Sequence, residues 1–400
     1  DPFPIMFRTL FSLVIAGVLA VGAVAQNTKE LTVEVKGNLK SKAVAITGSP
    51  ELAGLATTAF RTHGDFRLTP TGSAYTLNFT SAGANQVRLE ITSTSQGRSV
   101  FSQVVGGTSA RNALFRAADV AVQQLTGLPG YFAGRITFIS ERTGHREVYT
   151  SDLFFGEATQ ITHDRAHALM PRWSPDGSRI IYTSFFNSGS AQIFVMTPAT
   201  AQRVPFATFK GTNSGGRFSP DGGRVAAVLS AAGNQEIFVG SPQGKPFRRL
   251  TSSPGVEASP CWSPDGSRLI FTSDRGGRPA LYTMSAAGGA MTPVPTNISG
   301  YCAEPDWSRA KPNMIAFTCG VGGGFQVAVY DLSTRQSRIV TRGGGDAIEP
   351  CWLADGRHLV YTVRTGSSRQ IKILDTETGK ATAISPSSIG QVSQVNYLKR

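Results

Sequence analysis

Two sets of residues in this 400-residue chain are of types that could do chemistry. The first is a serine–carboxylate pair at fixed spacing: Ser174 with Asp176, Ser219 with Asp221, and Ser263 with Asp265, each inside Ser-Pro-Asp-Gly. A serine hydrolase would need its serine in a Gly-x-Ser-x-Gly elbow on a large α/β sheet, and no such elbow occurs. The spacing is turn chemistry instead. Proline presets φ, serine and aspartate bond turn amides, and glycine takes positive φ. The second set is His163 and His167 with Glu257, Glu304 and Glu349. A histidine–carboxylate set converging from several segments could hold a metal in a funnel-shaped site. With five histidines in the whole chain, the supply of ligands is thin. The cysteines (Cys261, Cys302, Cys319 and Cys351) show no C-x-x-C or His–Cys metal spacing.

The elements that must carry these residues are set by a repeat. Trp173, Phe218 and Trp262 each open a Ser-Pro-Asp-Gly, and decayed copies follow at Trp307-Ser308-Arg309 and Trp352-Leu353-Ala354-Asp355-Gly356. The aromatic anchors therefore step by 45, 44, 45 and 45 residues. Such a period, with short β-rich apolar runs and none of the long 3.6-periodic stretches of a helical solenoid, predicts a β-propeller with four strands (a–d) per blade. Strand b recurs at 135–140, 179–183, 224–229, 268–273, 314–318 and 358–363, which makes six blades. Only five anchors precede them. Residues 391–398 fall where a sixth strand a is due, so the tail is expected to close the ring as strand a of the first blade. Closure removes open sheet edges.

Ahead of the propeller (131–400) the chain divides into two parts. Residues 1–25 read as a secretory signal, with Arg8, an apolar run over 10–24 and Ala23-Val24-Ala25 before cleavage after Ala25. Met6 is a more natural start than Asp1. The apolar run is too short for a comfortable span, so the mature protein is expected to be exported, soluble and monomeric. Residues 26–130 form a small α+β domain: a strand at 31–35, a helix at 50–62, a meander at 74–80, 86–92 and 98–105, and a helix at 109–126 stopped by Gly127-Leu128-Pro129-Gly130. Its joint to the propeller is short, which suggests a fixed rather than swinging relation.

The net charge of +13 could suggest nucleic acid, but the basic residues are scattered and no aromatic–basic motif accompanies them. A cationic surface in an envelope compartment is the plain reading of the charge, and such a surface would still favour an acidic partner surface. Cys302 on strand a and Cys319 on strand b are about equally far from their hairpin turn, a geometry that permits a disulfide in an exported protein. Cys261 and Cys351 hold the same position in blades 4 and 6 and read as small core residues.

Together the signal, the α+β domain, the repeats with Trp-Ser-Pro-Asp-Gly, and the junction Leu125-Thr126-Gly127-Leu128-Pro129-Gly130-Tyr131-Phe132 running into Arg135-Ile136-Thr137-Phe138 resemble the TolB family of the Tol–Pal system. The resemblance implies a periplasmic, non-catalytic protein without cofactor. It implies docking of the peptidoglycan-associated lipoprotein Pal on one propeller face and of TolA through the mature N-terminal segment, here 26–34. The implied role is outer-membrane integrity and cell division.

Strand alternation selects the face. The d–a and b–c loops emerge opposite the Ser-Pro-Asp-Gly turns. The d–a loops carry His163, His167, Thr212, Asn213, Glu257, Glu304, Asp346 and Glu349, the expected partner-binding residues, because loops on a rigid scaffold are where binding usually resides. Two other readings stay open: a funnel enzyme (a metal-assisted hydrolase or lyase) and direct binding of glycan or peptidoglycan.

Overall fold

The computed structural model describes residues 41–399; the expected signal, the 26–34 segment and the 31–35 strand lie outside them. The described residues all fall within one compact unit. Its first part is a five-stranded sheet in the order β2-β1-β3-β4-β5, with β1 Lys42–Gly48, β2 Phe66–Leu68, β3 Tyr75–Gly83, β4 Gln86–Ser93 and β5 Arg98–Gly106. Helices α1 (Pro50–Phe60) and α2 (Ala110–Thr126) cover one side. Each begins on a serine cap, Ser49 and Ser109, whose side chain accepts an amide of the first turn. Gly127 ends α2 at φ 75°, the left-handed residue that the Gly-x-Pro-Gly stop anticipated.

Six four-stranded sheets follow, and the closing strand Val392–Leu398 pairs with Arg135–Ser140 to complete the first blade. Each anchor is buried between blades, with Trp173, Phe218, Trp262, Trp307 and Trp352 all at most 5% exposed. Tyr397, in register with Ile136, is the sixth. It lies 45 residues beyond Trp352, but it is followed by no turn motif, so type alone hid it. The arginine that opens strand b stacks on the next blade's anchor: Arg135 on Trp173, Arg179 on Phe218, Arg224 on Trp262 and Arg268 on Trp307, at 4.7–5.0 Å from the ring centroid. The turn aspartates work locally. Asp176 Oδ1, for example, accepts Ser174 Oγ at 2.5 Å and the Ser178 amide at 3.1 Å.

The α+β part sits on the Ser-Pro-Asp-Gly side, against blades 6 and 1. Asp119 of α2 accepts the amides of Phe132 and Ala133 at 2.7 and 3.0 Å, and Arg111 pairs with Asp152 at 3.2 Å. Arg357, 3% exposed, bridges Asp65 at 2.8 Å and Asp375 at 2.7 Å. Gly64 donates its amide to Asp375 Oδ2 at 3.0 Å, and a Cβ there would lie 2.1 Å from that oxygen, which is why a glycine stands at this joint. The opposite propeller face, with the d–a and b–c loops, carries none of these contacts.

All four cysteines are free and buried. This corrects the expected Cys302–Cys319 disulfide. The pair is directly opposed in register as anticipated, but Cys302 Sγ lies 3.4 Å from Thr296 Oγ1 and bonds the Ser299 carbonyl at 3.8 Å instead.

Candidate functional site

The innermost strands meet around the channel. Each has a register shift at the same place, two to three residues before its anchor. The residue there is left-handed: Met170 (φ 54°), Gly215 (64°), Ser259 (52°), Glu304 (55°), Glu349 (57°) and Gln394 (58°). Five of the six are not glycine and accept strain there, and Glu304, Glu349 and Gln394 aim their side chains across the blade boundary. Glu304 Oε2 accepts the Glu349 amide at 3.1 Å and Thr318 Oγ1 at 2.7 Å. Glu349 Oε2 accepts the Gln394 amide at 2.9 Å and Thr362 Oγ1 at 2.7 Å. Gln394 Oε1 accepts the Met170 amide at 2.7 Å. Blades 5, 6 and 1 thus each hand an acceptor to the next.

A second tier repeats the device one residue before the anchor. Asn396 Oδ1 accepts the Trp173 amide at 2.9 Å, and Asp306 Oδ2 accepts that of Trp352 at 2.8 Å. Cys261 Sγ accepts the Trp307 amide at 3.2 Å and Cys351 Sγ that of Tyr397 at 3.5 Å. Arg217 pairs with Asp306 across the channel. Cys261 and Cys351 are thus inter-blade acceptors, a role that spacing alone did not reveal. Burial pushes the Cys351 thiol up to about 12. The throat inside these rings is a cavity of about 60 Å³, room for a few waters.

The expected partner-binding residues separate into three groups. His163 and His167 are exposed on the rim, and Thr212 is half-buried beside them. Partial burial, then the charge of Arg146, lowers the His167 pKa. Asn213 and Glu257, expected to project from loops, are fully buried at the starts of strands. Asn213 Nδ2 donates to the carbonyls of Phe209, Ala191 and Gly211 at 2.7, 3.1 and 3.2 Å, closing its own loop. Glu257 Oε1 accepts Ser253 Oγ at 2.7 Å and Ser273 Oγ at 2.8 Å. Its partner is the equally buried Glu236, held by Arg249 at 2.7 Å. Burial, then Glu236 alongside, lifts Glu257 to about 7, which favours one proton shared between the two carboxyls. The third group is half-buried. Glu304 and Glu349 belong to the throat, where burial and then Glu349 lift Glu304 to about 7, and Asp346 pairs with Arg364 at 2.8 Å. The loop reading failed for these acids because the strands start earlier than the turn chemistry suggested.

The alternative metal constellation does not assemble: His163 and His167 stand on the rim, whereas Glu257 is enclosed and Glu304 and Glu349 are bonded into the scaffold. One other cluster has ligand atoms within 4.8 Å: His63, His358 and Asp375, all buried at the joint. Its bonding fits a buried imidazolium rather than a metal. His358 Nδ1 lies 2.5 Å from Asp355 Oδ2, and its Nε2 lies 3.4 Å from Asp375 Oδ2. These carboxylates outweigh burial and lift His358 to about 9. Asp375 is already engaged by the guanidinium of Arg357. His63 Nδ1 accepts the Asp65 amide at 3.2 Å, which leaves the ring proton on Nε2, the atom that would have to bind the metal. Among the described residues no helix is long and apolar enough to cross a membrane.

Residues 122–397 match the TolB β-propeller domain family model. Two curated relatives are similar, the Tol-Pal system proteins TolB of Bordetella pertussis and Bordetella bronchiseptica, each 34% identical over 181 residues. The aligned stretch is 45% of this chain and spans only 41% of each relative. Among solved structures, TolB from Acinetobacter baumannii superposes with a TM-score of 0.80 at 24% identity, over 90% of this chain and 97% of that one. A putative TolB from Agrobacterium tumefaciens gives 0.50 at 17%, over 67% and 99%. These likenesses show a shared fold.

Proposed function

Because the chain belongs to the TolB β-propeller family, we propose that it is a non-catalytic docking protein of a periplasmic Tol–Pal system. In this reading the d–a loop face receives the peptidoglycan-associated lipoprotein Pal, and the 26–34 segment engages TolA. The observation that carries it is the division of faces. The α+β part is clamped to one side of the propeller, while the other presents the rim residues His163, His167 and Thr212 around a throat that is braced rather than reactive. A rigid ring with an open, loop-bearing face suits protein recognition. A cavity of about 60 Å³ whose carboxylates are bonded to neighbouring blades offers little to a substrate. Outer-membrane integrity and cell division are the cellular roles this implies.

The test is calorimetry of the mature chain with the soluble Pal domain from the same genome. The expected result is saturable one-to-one binding that weakens when His163 and His167 are both changed to alanine. Absence of binding to the folded chain would overturn the reading.

A further inference from the structure

The two faces of the propeller differ in the sign of the charge they expose. Among the described residues of the propeller, the four exposed carboxylates (Glu157, Asp176, Asp221 and Asp265) all lie in turns on the side that carries the α+β part. On the d–a loop face every carboxylate is half-buried or buried, and those of the loops are engaged. Glu141 pairs with Arg146 at 3.0 Å and Arg369 at 3.2 Å, and Asp164 with Arg203 at 2.5 Å. Asp346 pairs with Arg364, and Asp274 accepts the Val256 amide at 2.7 Å. By contrast Arg142, Arg165, Lys210, Arg275, Arg278 and Arg342 are exposed on that face. They come from the b–c turns of blades 1 and 4 and the d–a loops entering blades 2, 3 and 6, so they surround the mouth rather than cluster at one edge. Ordinary solvation would scatter both signs over both faces, as it does on the opposite side.

We propose that the surface docked on this face is an acidic protein surface, and that this cationic rim steers its approach. The inference rests on the docking reading above and specifies the chemistry of the partner. A single-sign rim with its counter-charges folded inward raises the encounter rate with an oppositely charged protein and does so in a salt-dependent way. The throat beneath the rim has its acids hydrogen-bonded to the scaffold, so attraction comes from the periphery.

The probe is the soluble Pal domain from the same genome, with its association to the mature chain followed by stopped-flow between 50 and 500 mM NaCl. The association rate is expected to fall about tenfold or more over that range. A triple variant, Arg142→Glu, Arg275→Glu and Arg278→Glu, is expected to reproduce that loss at low salt with an unchanged melting curve. Binding insensitive both to salt and to the triple variant overturns this inference and leaves the docking reading standing; no binding at any salt overturns both. Cosedimentation of the chain with anionic phospholipid vesicles or with peptidoglycan sacculi is run in parallel. If the triple variant loses that association while its rate with the protein domain is unchanged, the rim serves a polymer or membrane, and the inference fails.

Discussion

Replacing Tyr397 tests whether the last strand truly locks the ring. Its ring packs on Gly134, where a Cβ would lie 2.0 Å from the tyrosine Cε2, its amide is held by Cys351, and its hydroxyl donates to the Tyr131 carbonyl at 2.9 Å. Tyr397→Phe removes only the last contact and orphans a carbonyl at the domain junction, costing about 1–2 kcal/mol. Tyr397→Ala also removes the aromatic wedge between blades 6 and 1, at about 3–5 kcal/mol. That is a large share of a total stability of about 5–15 kcal/mol. Urea titration followed by tryptophan fluorescence reads both changes, because Trp352 and Trp173 flank the closing strand in the blades on either side. Val204→Ala, at a side chain 46% exposed, is the control and should move stability by less than about 0.5 kcal/mol. An alanine variant within about 1 kcal/mol of the parent, or one indistinguishable from the phenylalanine variant, would refute the locking role.

Four further outcomes follow from the buried polar groups and thiols. Glu257 binds its proton more tightly when folded, near 7 against 4.5, so its protonation supports the fold fully below 4.5, and that support is lost as pH rises through 7. Glu257→Gln should therefore match the parent at pH 4.5 and exceed it at pH 8 by about 1–3 kcal/mol in urea midpoint measurements; a variant less stable at both pH values would show that no shared proton exists. Arg357→Met leaves Asp65 without its cation and Asp375 with only the His358 ring beside it, and thermal unfolding should show a loss of about 3–5 kcal/mol, with a neutral result refuting the clamp. At Cys351, serine keeps an acceptor for the Tyr397 amide and valine does not, so the valine variant should be less stable by about 1–3 kcal/mol; valine as stable as serine would deny the thiol its acceptor role. All four thiols should react with Ellman's reagent only after unfolding.

How much of this was legible in the chain depended on periodicity. A period of 45 residues with a rigid turn inside it identifies six blades, because the turn residues have one conformational job and perform it wherever they occur. Ring closure was legible from arithmetic, since an unpaired strand b must find a strand a. Tyr397 was the price of trusting residue type, since it holds an anchor's place without an anchor's sequence. The acceptors at 304, 349 and 394, and those at 261, 306, 351 and 396, keep the same period, and they could have been found by reading positions before the anchor as columns. Their identities vary among acid, amide and thiol because the task, accepting one amide from the next blade, can be met by any of them.

The acidic residues show where such reading breaks down physically. A carboxylate in a segment between strands looks like a surface charge, since burying an unpaired one is costly. In a closed ring the innermost strands must bulge, and each bulge leaves amides pointing at the neighbouring blade. A glutamate there is compensated by an amide and a threonine hydroxyl, as at Glu304 and Glu349, and Glu257, at the start of its strand, is held by two serines. The chain spends its acids on holding blades together. Its arginines behave oppositely, because a long stem keeps the charged head in water even from a short loop. With the loop acids drawn inward and the loop cations left outward, a face of one sign results. Recognition on that face should therefore be argued from its basic residues, and mutating Glu304 or Glu349 would report on the scaffold instead of the interface.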